Sequence, residues 1–290
     1  MKVSGFTFVR NALKYDYPVT ESIKSLLPIC DEMIVSVGNS ADGTRALIDT
    51  IGSPKVRIFD SVWDDSLKEG GKVLAYETDK AFGQVDSSAD WCFYIQADEV
   101  LHEKDYEAIR KAMEKYKDDE RVEGLLFKYI HFYGTFDYVG DSRQWYIREI
   151  RVIRNDKTIH SYRDAQGFRK EGRKLDVKPV DAFIYHYGWV KHPETQLKKH
   201  LQFEKLYQLN KLANQVSKGK LEDFDYSVVD SLAPFLGSHP AVMKERIKNK
   251  NWQLDFDIGK KNFSLKKRLL YLIEKKTGKR LFEYQNFRII

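Results

Sequence analysis

Runs of apolar residues alternate with amphipathic segments along the first part of the chain. The apolar runs predict strands over residues 3–9, 33–37, 56–59 and 91–96, and the segments between them predict helices over 18–27, over 44–51 and from near residue 71. A clearer helix is predicted over 103–117, where Tyr106, Ile109 and Met113 recur at intervals of three and four. Continuous apolar strands are typical of a parallel sheet that is buried on both faces, and their alternation with helices indicates an α/β fold.

The second half of the chain has a different pattern. Longer strands are predicted over 124–133, 145–153 and 180–187, followed by a long helix over 192–213 and a helix-rich remainder. We therefore expect a central mixed, mostly parallel sheet flanked by helices, with a helix-rich C-terminal extension. The α/β domain is predicted over residues 1–190 and the extension over residues 191–290.

Two of the predicted strands end in polar residues. The strand over 91–96 stops at the carboxylates Asp98 and Glu99, and the strand over 33–37 stops at a turn rich in Gly, Asn, Ser and Asp. Ligands of open α/β sheets lie beyond the carboxyl ends of the strands. Small residues allow a ligand to approach the backbone, and the helix start that follows at Thr44 offers free N–H groups. We expect the functional site at these two strand ends.

These segments resemble the nucleotide-sugar half of GT-A glycosyltransferases of the family 2 type. That family commonly shows a strand ending in Asp-Asp-Gly-Ser-x-Asp-Gly-Thr, and here residues 37–44 read Val-Gly-Asn-Ser-Ala-Asp-Gly-Thr. The Ser-x-Asp-Gly-Thr part is intact, and both leading aspartates are absent. The family's Asp-x-Asp motif appears as Gln96-Ala97-Asp98, which keeps the second carboxylate and lacks the first. The resemblance covers the α/β domain over 1–190 and implies a GT-A, Rossmann-like fold.

The resemblance implies a binding site for a nucleotide-sugar donor at the strand ends. The residues expected to bind this donor are Phe8, Arg10, Asn11, Asn39, Asp42, Lys72, Gln96 and Asp98. Lys72 follows Gly70 and Gly71 at a helix start, which suits a phosphate, although an ordinary helix start explains these residues equally well. Gln96 is neutral, and we expect it to hydrogen-bond ribose or to act through water.

A divalent cation, Mn²⁺ or Mg²⁺, is also implied by the resemblance, with Asp98 and His186 as its ligands. A hard carboxylate oxygen suits either ion, and a neutral imidazole completes such a site. Two plainer interpretations stay open at this point. In one, Asp98 caps the helix that follows it. In the other, His186, which ends an apolar strand, has a structural role.

Inverting sugar transfer needs a carboxylate within hydrogen-bonding distance of the acceptor hydroxyl. Asp164 lies between the last predicted strands, where the resembling enzymes tend to place this base, and Asp141 and Glu149 are competing candidates. Aromatic faces suit a sugar acceptor. The acceptor is expected to contact Trp145, Phe168 and Trp189.

The composition limits the remaining possibilities. The 290 residues hold no apolar run of membrane-span length, and the N-terminus lacks a signal-peptide pattern. Two distant cysteines, Cys30 and Cys92, are expected to be buried thiols of a reducing compartment. Basic residues are dense over 244–280 and interleave with apolar ones, which favours either a solvated helix face or a surface for anionic lipid. Nucleic-acid binding is not expected, because no base-reading module is visible.

We therefore predict a cytoplasmic enzyme, peripheral at the inner face of the cell membrane, that moves a sugar from a nucleotide-diphosphate donor to a glycan or glycolipid acceptor with inversion. Residues 1–190 would bind donor and acceptor, and residues 191–290 would face the acceptor or the membrane. The resemblance suggests bacterial surface-polysaccharide or lipopolysaccharide synthesis. One alternative is a degenerate module that binds a nucleotide sugar or glycan without turnover, which Gln96 and the missing aspartates favour. A nucleotidyltransferase is a further alternative, which the lack of a Gly-rich loop after Val9 disfavours.

Overall fold

The computed structural model describes residues 1–64, 66–67, 69–207, 209, 211–219 and 222–290. The strands are β1 (Val3–Val9), β2 (Glu32–Gly38), β3 (Val56–Ser61), β4 (Trp91–Tyr94), β5 (Glu99–Leu101), β6 (Gly124–Tyr133), β7 (Tyr138–Gly140), β8 (Arg148–Arg154), β9 (Ile159–Tyr162), β10 (Gly167–Lys170), β11 (Arg173–Lys174), β12 (Asp176–Trp189), β13 (Leu232–Pro234) and β14 (Arg288–Ile289). The helices are α1 (Val19–Leu26), α2 (Thr44–Asp49), α3 (Lys72–Gly83), α4 (Tyr106–Tyr116), α5 (Pro193–Leu206), α6 (Lys211–Ser217), α7 (Lys244–Lys248) and α8 (Leu265–Thr277). Short 3₁₀ helices precede α3, α4 and α7.

The central sheet carries its strands in the order β13-β7-β6-β8-β4-β1-β2-β3. The neighbours among β1, β2, β3 and β4 are parallel, whereas β8 runs antiparallel between β4 and β6. β12 pairs in parallel with β6 and in antiparallel fashion with the short β5. The predicted α/β fold, with a mixed and mostly parallel sheet flanked by helices, is confirmed.

The sheet is buried on both faces, which explains the uninterrupted apolar runs of its strands. On one face, Ile23 of α1 and Met113 of α4 belong to a single core cluster. On the other face, the ring of Phe6 lies 5.3 Å from the rings of Phe82 and Tyr94, measured between centroids. Because helices and loops cover both faces, the strand ends are the part of the sheet that remains open to a ligand.

The predicted elements of the second half are present with shifted bounds. The strand predicted over 124–133 is β6, and the two later strands are β8 and the second half of β12. The helix predicted over 192–213 is divided between α5 and α6, and its residues 208 and 210 lie outside the described part of the chain. α5 begins with Pro193, whose fixed backbone suits the first helical position, and the His192 side chain caps the amide of Glu194.

The residues after 191 return to the sheet and also carry an exposed helix. β13 pairs with β7, and β14 pairs with β12, where Arg288 forms an ion pair with Asp176. In contrast, no residue of α8 is buried, although Ser264 caps its start and Gly278 ends it in the left-handed conformation. None of the helices in the described ranges is long and apolar enough to cross a membrane.

Candidate active site

A cavity of about 360 Å³ opens at the carboxyl ends of β1 and β4, where the sequence predicts the functional site. One wall of this cavity is α5, which belongs to the predicted extension. The predicted site residues that line the cavity are Phe8, Arg10, Asn11, Gln96, Asp98, Asp164, His186 and Trp189. The fold therefore brings two strand ends, the loop before β10 and the end of β12 to one place.

Asp98 is an anion held beside a buried lysine. Nζ of Lys199 lies 3.1 Å from Oδ2 of Asp98 and donates a second hydrogen bond of 2.9 Å to the carbonyl oxygen of Gly188. Burial by itself raises the pKa of Asp98, but neighbouring positive charge, chiefly that of Lys199, lowers this pKa below its ordinary value. Asp98 is therefore ionised at neutral pH, and it lines the cavity although only 9% of it is exposed.

Gly188 allows this close arrangement. A Cβ atom at position 188 would lie 2.7 Å from both Oδ2 of Asp98 and Nε2 of His186. Side-chain atoms do not approach so closely without displacing their neighbours, because interiors are already close-packed. Gly188 is therefore a part of the site that the sequence did not single out.

His186 is oriented by a chain of two hydrogen bonds. Its Nδ1 lies 3.0 Å from Nδ1 of His131, and Nε2 of His131 lies 2.8 Å from the carbonyl oxygen of Tyr146. Because that carbonyl only accepts, His131 carries its proton on Nε2 and accepts at Nδ1 from His186. Burial lowers the pKa of both imidazoles, which keeps them neutral. Nε2 of His186 then presents a lone pair 3.8 Å from Oδ1 of Asp98.

A second buried lysine adds positive charge near Asp98. Nζ of Lys191 donates a 2.6 Å hydrogen bond to the carbonyl oxygen of Asp16, and burial lowers its pKa to about 7. Both Lys191 and Lys199 lie over the ring of Tyr17, with Nζ 4.9 and 5.0 Å from its centroid. With a pKa of about 7, Lys191 is only partly protonated at neutral pH, and it is not among the residues that line the cavity; an anionic ligand near Lys199 would favour its protonated form.

Aromatic and cationic side chains form the end of the cavity next to β1. The rings of Phe8 and Trp63 lie 5.7 Å apart, and the guanidinium carbon of Arg10 lies 5.4 Å from the centroid of Trp63. Asn11 supports the loop between β2 and α2, since its Oδ1 accepts a 3.0 Å hydrogen bond from the amide of Ala41. A flat ring such as a nucleobase fits side chains of this kind.

Three of the residues predicted to bind the donor do not line the cavity. Oδ1 of Asn39 accepts a 3.3 Å hydrogen bond from the amide of Trp63, and Oδ2 of Asp42 accepts one of 2.7 Å from the amide of Lys14. These two side chains hold the loops around the site. Lys72 is exposed at the start of α3.

The three candidate bases lie in different environments. Asp164 lines the main cavity, and its Oδ2 accepts a 3.0 Å hydrogen bond from the hydroxyl of Tyr207. Glu149 lines a smaller neighbouring cavity, and burial raises its pKa to about 7. Asp141 lies away from both cavities and accepts a 2.8 Å hydrogen bond from the hydroxyl of Tyr271 in α8.

The prediction that Phe168 stacks against an acceptor is wrong. This ring is fully buried in the core and packs edge-on against Tyr94, with their centroids 5.6 Å apart. Trp145 is also buried, and its ring lies 5.3 Å from that of His131. Trp189 is the predicted aromatic residue that reaches the cavity.

Sequence reasoning missed a buried ion pair beneath the site. Arg151 of β8 binds Glu99 through two hydrogen bonds, of 2.8 Å from Nε and 2.7 Å from Nη2, and neither side chain is exposed. The pair fixes the turn that carries Asp98. Strand β8 offers three arginines at 148, 151 and 154, and the sequence could not show which of them turns inward.

Asp98 and His186 fit a divalent cation as two of its ligands. The second carboxylate oxygen of Asp98 and the lone pair of the neutral His186 imidazole face each other without a hydrogen bond between them, and a cation bound by both would stabilise this arrangement. Within the described ranges, no group of three or more His, Cys, Asp or Glu side chains is arranged to hold a metal ion. A cation here would take its other ligands from a phosphate or from water.

No family model and no curated protein sequence matches the chain. Among solved structures, it is similar to S. aureus TarS, with 17% identity and a TM-score of 0.40 over 68% of this chain and 38% of that one. It is also similar to glucosyl-3-phosphoglycerate synthase from Mycobacterium tuberculosis in complex with Mg²⁺ and UDP, with 17% identity and a TM-score of 0.29 over 46% of this chain and 43% of that one. A third is 4-diphosphocytidyl-2C-methyl-D-erythritolsynthase from Anaerococcus prevotii, with 11% identity and a TM-score of 0.39 over 71% and 96% of the two chains.

These likenesses concern the fold and assign no activity. For the first two proteins the match spans less than two thirds of their own length. The class of fold is defined by this chain's own topology: four parallel neighbouring strands, an antiparallel β8 beside them and a cavity at the strand ends. On these features the chain has a GT-A-like α/β fold, as the sequence predicted.

Proposed function

We propose that the protein is an inverting glycosyltransferase that moves a sugar from a nucleotide-diphosphate donor to a glycan or glycolipid acceptor. The observation that carries this proposal is the meeting of an ionised Asp98, a buried Lys199 and a second carboxylate, Asp164, in one cavity at the strand ends. Sugar transfer requires charge stabilisation for the departing diphosphate and a base for the acceptor hydroxyl. The cavity offers a group for each requirement.

The donor diphosphate is proposed to lie at Lys199, with the nucleoside toward Trp63. Lys199 is held in place by Asp98 and by the carbonyl oxygen of Gly188 before any ligand binds, so it needs no reorganisation as negative charge develops on the diphosphate. A divalent cation, Mn²⁺ or Mg²⁺, held by Asp98 and His186 would add further neutralisation of the leaving group when bound. The contacts described above support this proposal, because they hold both side chains at the edge of the cavity.

Asp164 is proposed as the base, because it is the candidate carboxylate that lines the main cavity. It takes the proton of the acceptor hydroxyl while that oxygen bonds to the anomeric carbon and the bond from this carbon to the diphosphate breaks. The hydroxyl of Tyr207 holds the carboxylate in position. Glu149 is less suited, because it lines the smaller neighbouring cavity and does not line the one that holds Asp98.

The acceptor is proposed to enter beside Trp189, and the C-terminal region to contact a membrane that carries it. In α8 the exposed Leu265, Leu269 and Leu272 are spaced by four and three residues, so they share one helix face. The exposed fractions of these side chains are 89%, 61% and 52%. Lysine and arginine residues on the same helix would favour anionic lipid. A bacterial pathway that builds surface polysaccharide or lipopolysaccharide provides acceptors of this kind.

A non-catalytic module that binds a nucleotide sugar is the second candidate. The amide of Gln96, which stands where the resembling family has a carboxylate, donates a 3.2 Å hydrogen bond to the carbonyl oxygen of Ala165. It therefore supports the loop of Asp164 and supplies no charge. This observation favours binding without turnover.

A thermal-stability screen with UDP-, GDP-, CMP- and dTDP-sugars, with and without Mn²⁺, tests the proposal. A ligand that binds the folded state raises its apparent stability by an amount that grows with ligand concentration. We expect the sugars of one of these nucleotides to raise the melting temperature of the protein, and Mn²⁺ to enhance that rise. Slow hydrolysis of the selected donor then separates a transferase from a binding module, since the module releases no sugar. Absence of any shift across the panel would refute the proposed function.

A further inference from the structure

Helix α5 supplies one wall of the cavity. The residues of α5 and its C-cap that line the cavity are Gln196, Lys199, His200, Gln202, Phe203, Leu206 and Tyr207, and most of them recur at intervals of three and four. The first turns of the wall are polar and the last turns are apolar. The polar part begins near Asp98, which Lys199 contacts directly.

Gln196 is a buried amide for which the described residues provide no partner. None of its surface is exposed, and neither Nε2 nor Oε1 has a hydrogen bond. Buried polar groups in folded proteins are nearly always hydrogen-bonded, and exceptions require an explanation such as a ligand. Because Gln196 lines the cavity one helical turn before Lys199, the missing partner is expected inside the cavity.

The chemistry of this partner follows from the amide and its surroundings. A carboxamide both donates and accepts hydrogen bonds, so hydroxyl groups can satisfy both of its polar atoms, whereas a diphosphate, which only accepts, would leave Oε1 without a partner. Trp189 and His200 line the same cavity with their ring centroids 4.9 Å apart, and such rings suit the apolar face of a sugar. The aromatic side chains suited to the nucleobase, Phe8 and Trp63, lie in another part of the cavity.

We propose that Gln196 binds the hydroxyl groups of the donor's sugar ring and thereby selects the sugar that this protein accepts. This inference rests on the proposed function, since it assumes a nucleotide-sugar donor. Lys199 holds the diphosphate and Gln196, on the adjacent turn, holds the group attached to it. The residue is a specificity determinant contributed by the C-terminal extension, outside the segments that carry the family resemblance.

Titration calorimetry of the full chain with UDP and with UDP-glucose tests the inference. If the stability screen selects another nucleotide, that nucleotide and its sugar replace this pair. The variant Gln196→Leu removes both hydrogen-bonding atoms and keeps a similar volume. We expect it to weaken binding of the nucleotide sugar by about tenfold and to leave the affinity for the nucleotide alone unchanged, because a site built for hydroxyl groups loses their hydrogen bonds. Lys205→Leu, on the exposed side of the same helix, is the matched control and should change neither affinity.

The possible failures are distinguishable. If the wild-type protein binds neither the nucleotides nor their sugars, the proposed function fails and the inference falls with it. If the wild-type protein binds the pair but Gln196→Leu weakens both equally, or weakens neither, the inference alone is refuted. Should the leucine variant unfold, Gln196→Asn keeps the amide and shortens its reach, and the same selective loss is expected.

Discussion

Replacing Lys199 with methionine tests whether the ion pair with Asp98 organises the cavity. The two residues are 8% and 9% exposed, so removing the ammonium group leaves a nearly buried carboxylate without its main partner. Breaking a buried pair in this way typically costs about 3–5 kcal/mol. Because Asp98 borders the cavity and another lysine lies near, we expect the lower end, a loss of about 3 kcal/mol in the free energy of unfolding.

The loss should also depend on pH. In the wild-type protein the pKa of Asp98 is lowered, so the stability that it contributes is present above the ordinary pKa of about 3.9 and is lost only as the pH falls further. Without Lys199, burial is left as the main influence and raises this pKa instead. The folded variant then holds a proton that the unfolded chain has released. Its free energy of unfolding should fall as the pH rises above about 4, by about 1.4 kcal/mol for each unit by which the pKa is raised.

Urea unfolding at a series of pH values from 5 to 8, followed by tryptophan fluorescence, measures both effects. Lys198→Met is the matched control: this neighbour is 52% exposed and pairs with Glu194 on the surface, so we expect a loss below about 1 kcal/mol. Adding Asp98→Asn to Lys199→Met should abolish the pH dependence. Equal losses for the two lysine variants, or a loss that does not change with pH, would refute the reasoning.

Three further predictions concern the site and its surroundings. Gly188→Ala should weaken donor binding and lower the melting temperature, because its Cβ would lie 2.7 Å from Asp98; unchanged calorimetry would contradict this. Asp164→Asn should reduce kcat by about 10²–10⁴-fold with little change in donor affinity, and a transferase assay showing full turnover would remove it as the base. Leu269→Ser should reduce co-sedimentation with vesicles containing anionic lipid while activity on a soluble acceptor is retained, and equal sedimentation of the two proteins would argue against a membrane-facing α8.

The sheet and the strand ends of the site could be predicted because they depend on local patterns. Each of the first four strands is a short apolar run between helical segments, and the period of each pattern is visible within a few residues. Asp98 was found because a carboxylate directly follows such a run. His186 was proposed from the family resemblance, since a lone histidine at a strand end is as well explained as structural, and both side chains line the cavity.

The rest of the site could not be predicted, since it depends on contacts between distant segments. Lys199 and Gln196 lie on a helix whose charged and apolar residues look like those of a surface helix, and only the tertiary structure shows which face is buried. The prediction for Phe168 failed for a related reason: the polar residues before it suggest a loop, but Phe168 lies in the short strand β10 and its ring packs into the core. Which face of a helix or strand is buried depends on the segments that pack against it, and these are distant in the sequence.

The use of α5 as a cavity wall has a consequence for synthesis of the chain. Strand β1, which carries Phe8, and the turn after β4, which carries Asp98, emerge from the ribosome well before residue 199 does, and segments of a large protein can begin to fold as they emerge. Until α5 has emerged, the growing chain lacks Lys199 and Gln196, so a nucleotide sugar has no complete site to bind. On the proposed function, a nucleotide-sugar donor would therefore not protect the growing chain from misfolding or proteolysis, and its stabilising effect would begin only once α5 has completed the cavity wall.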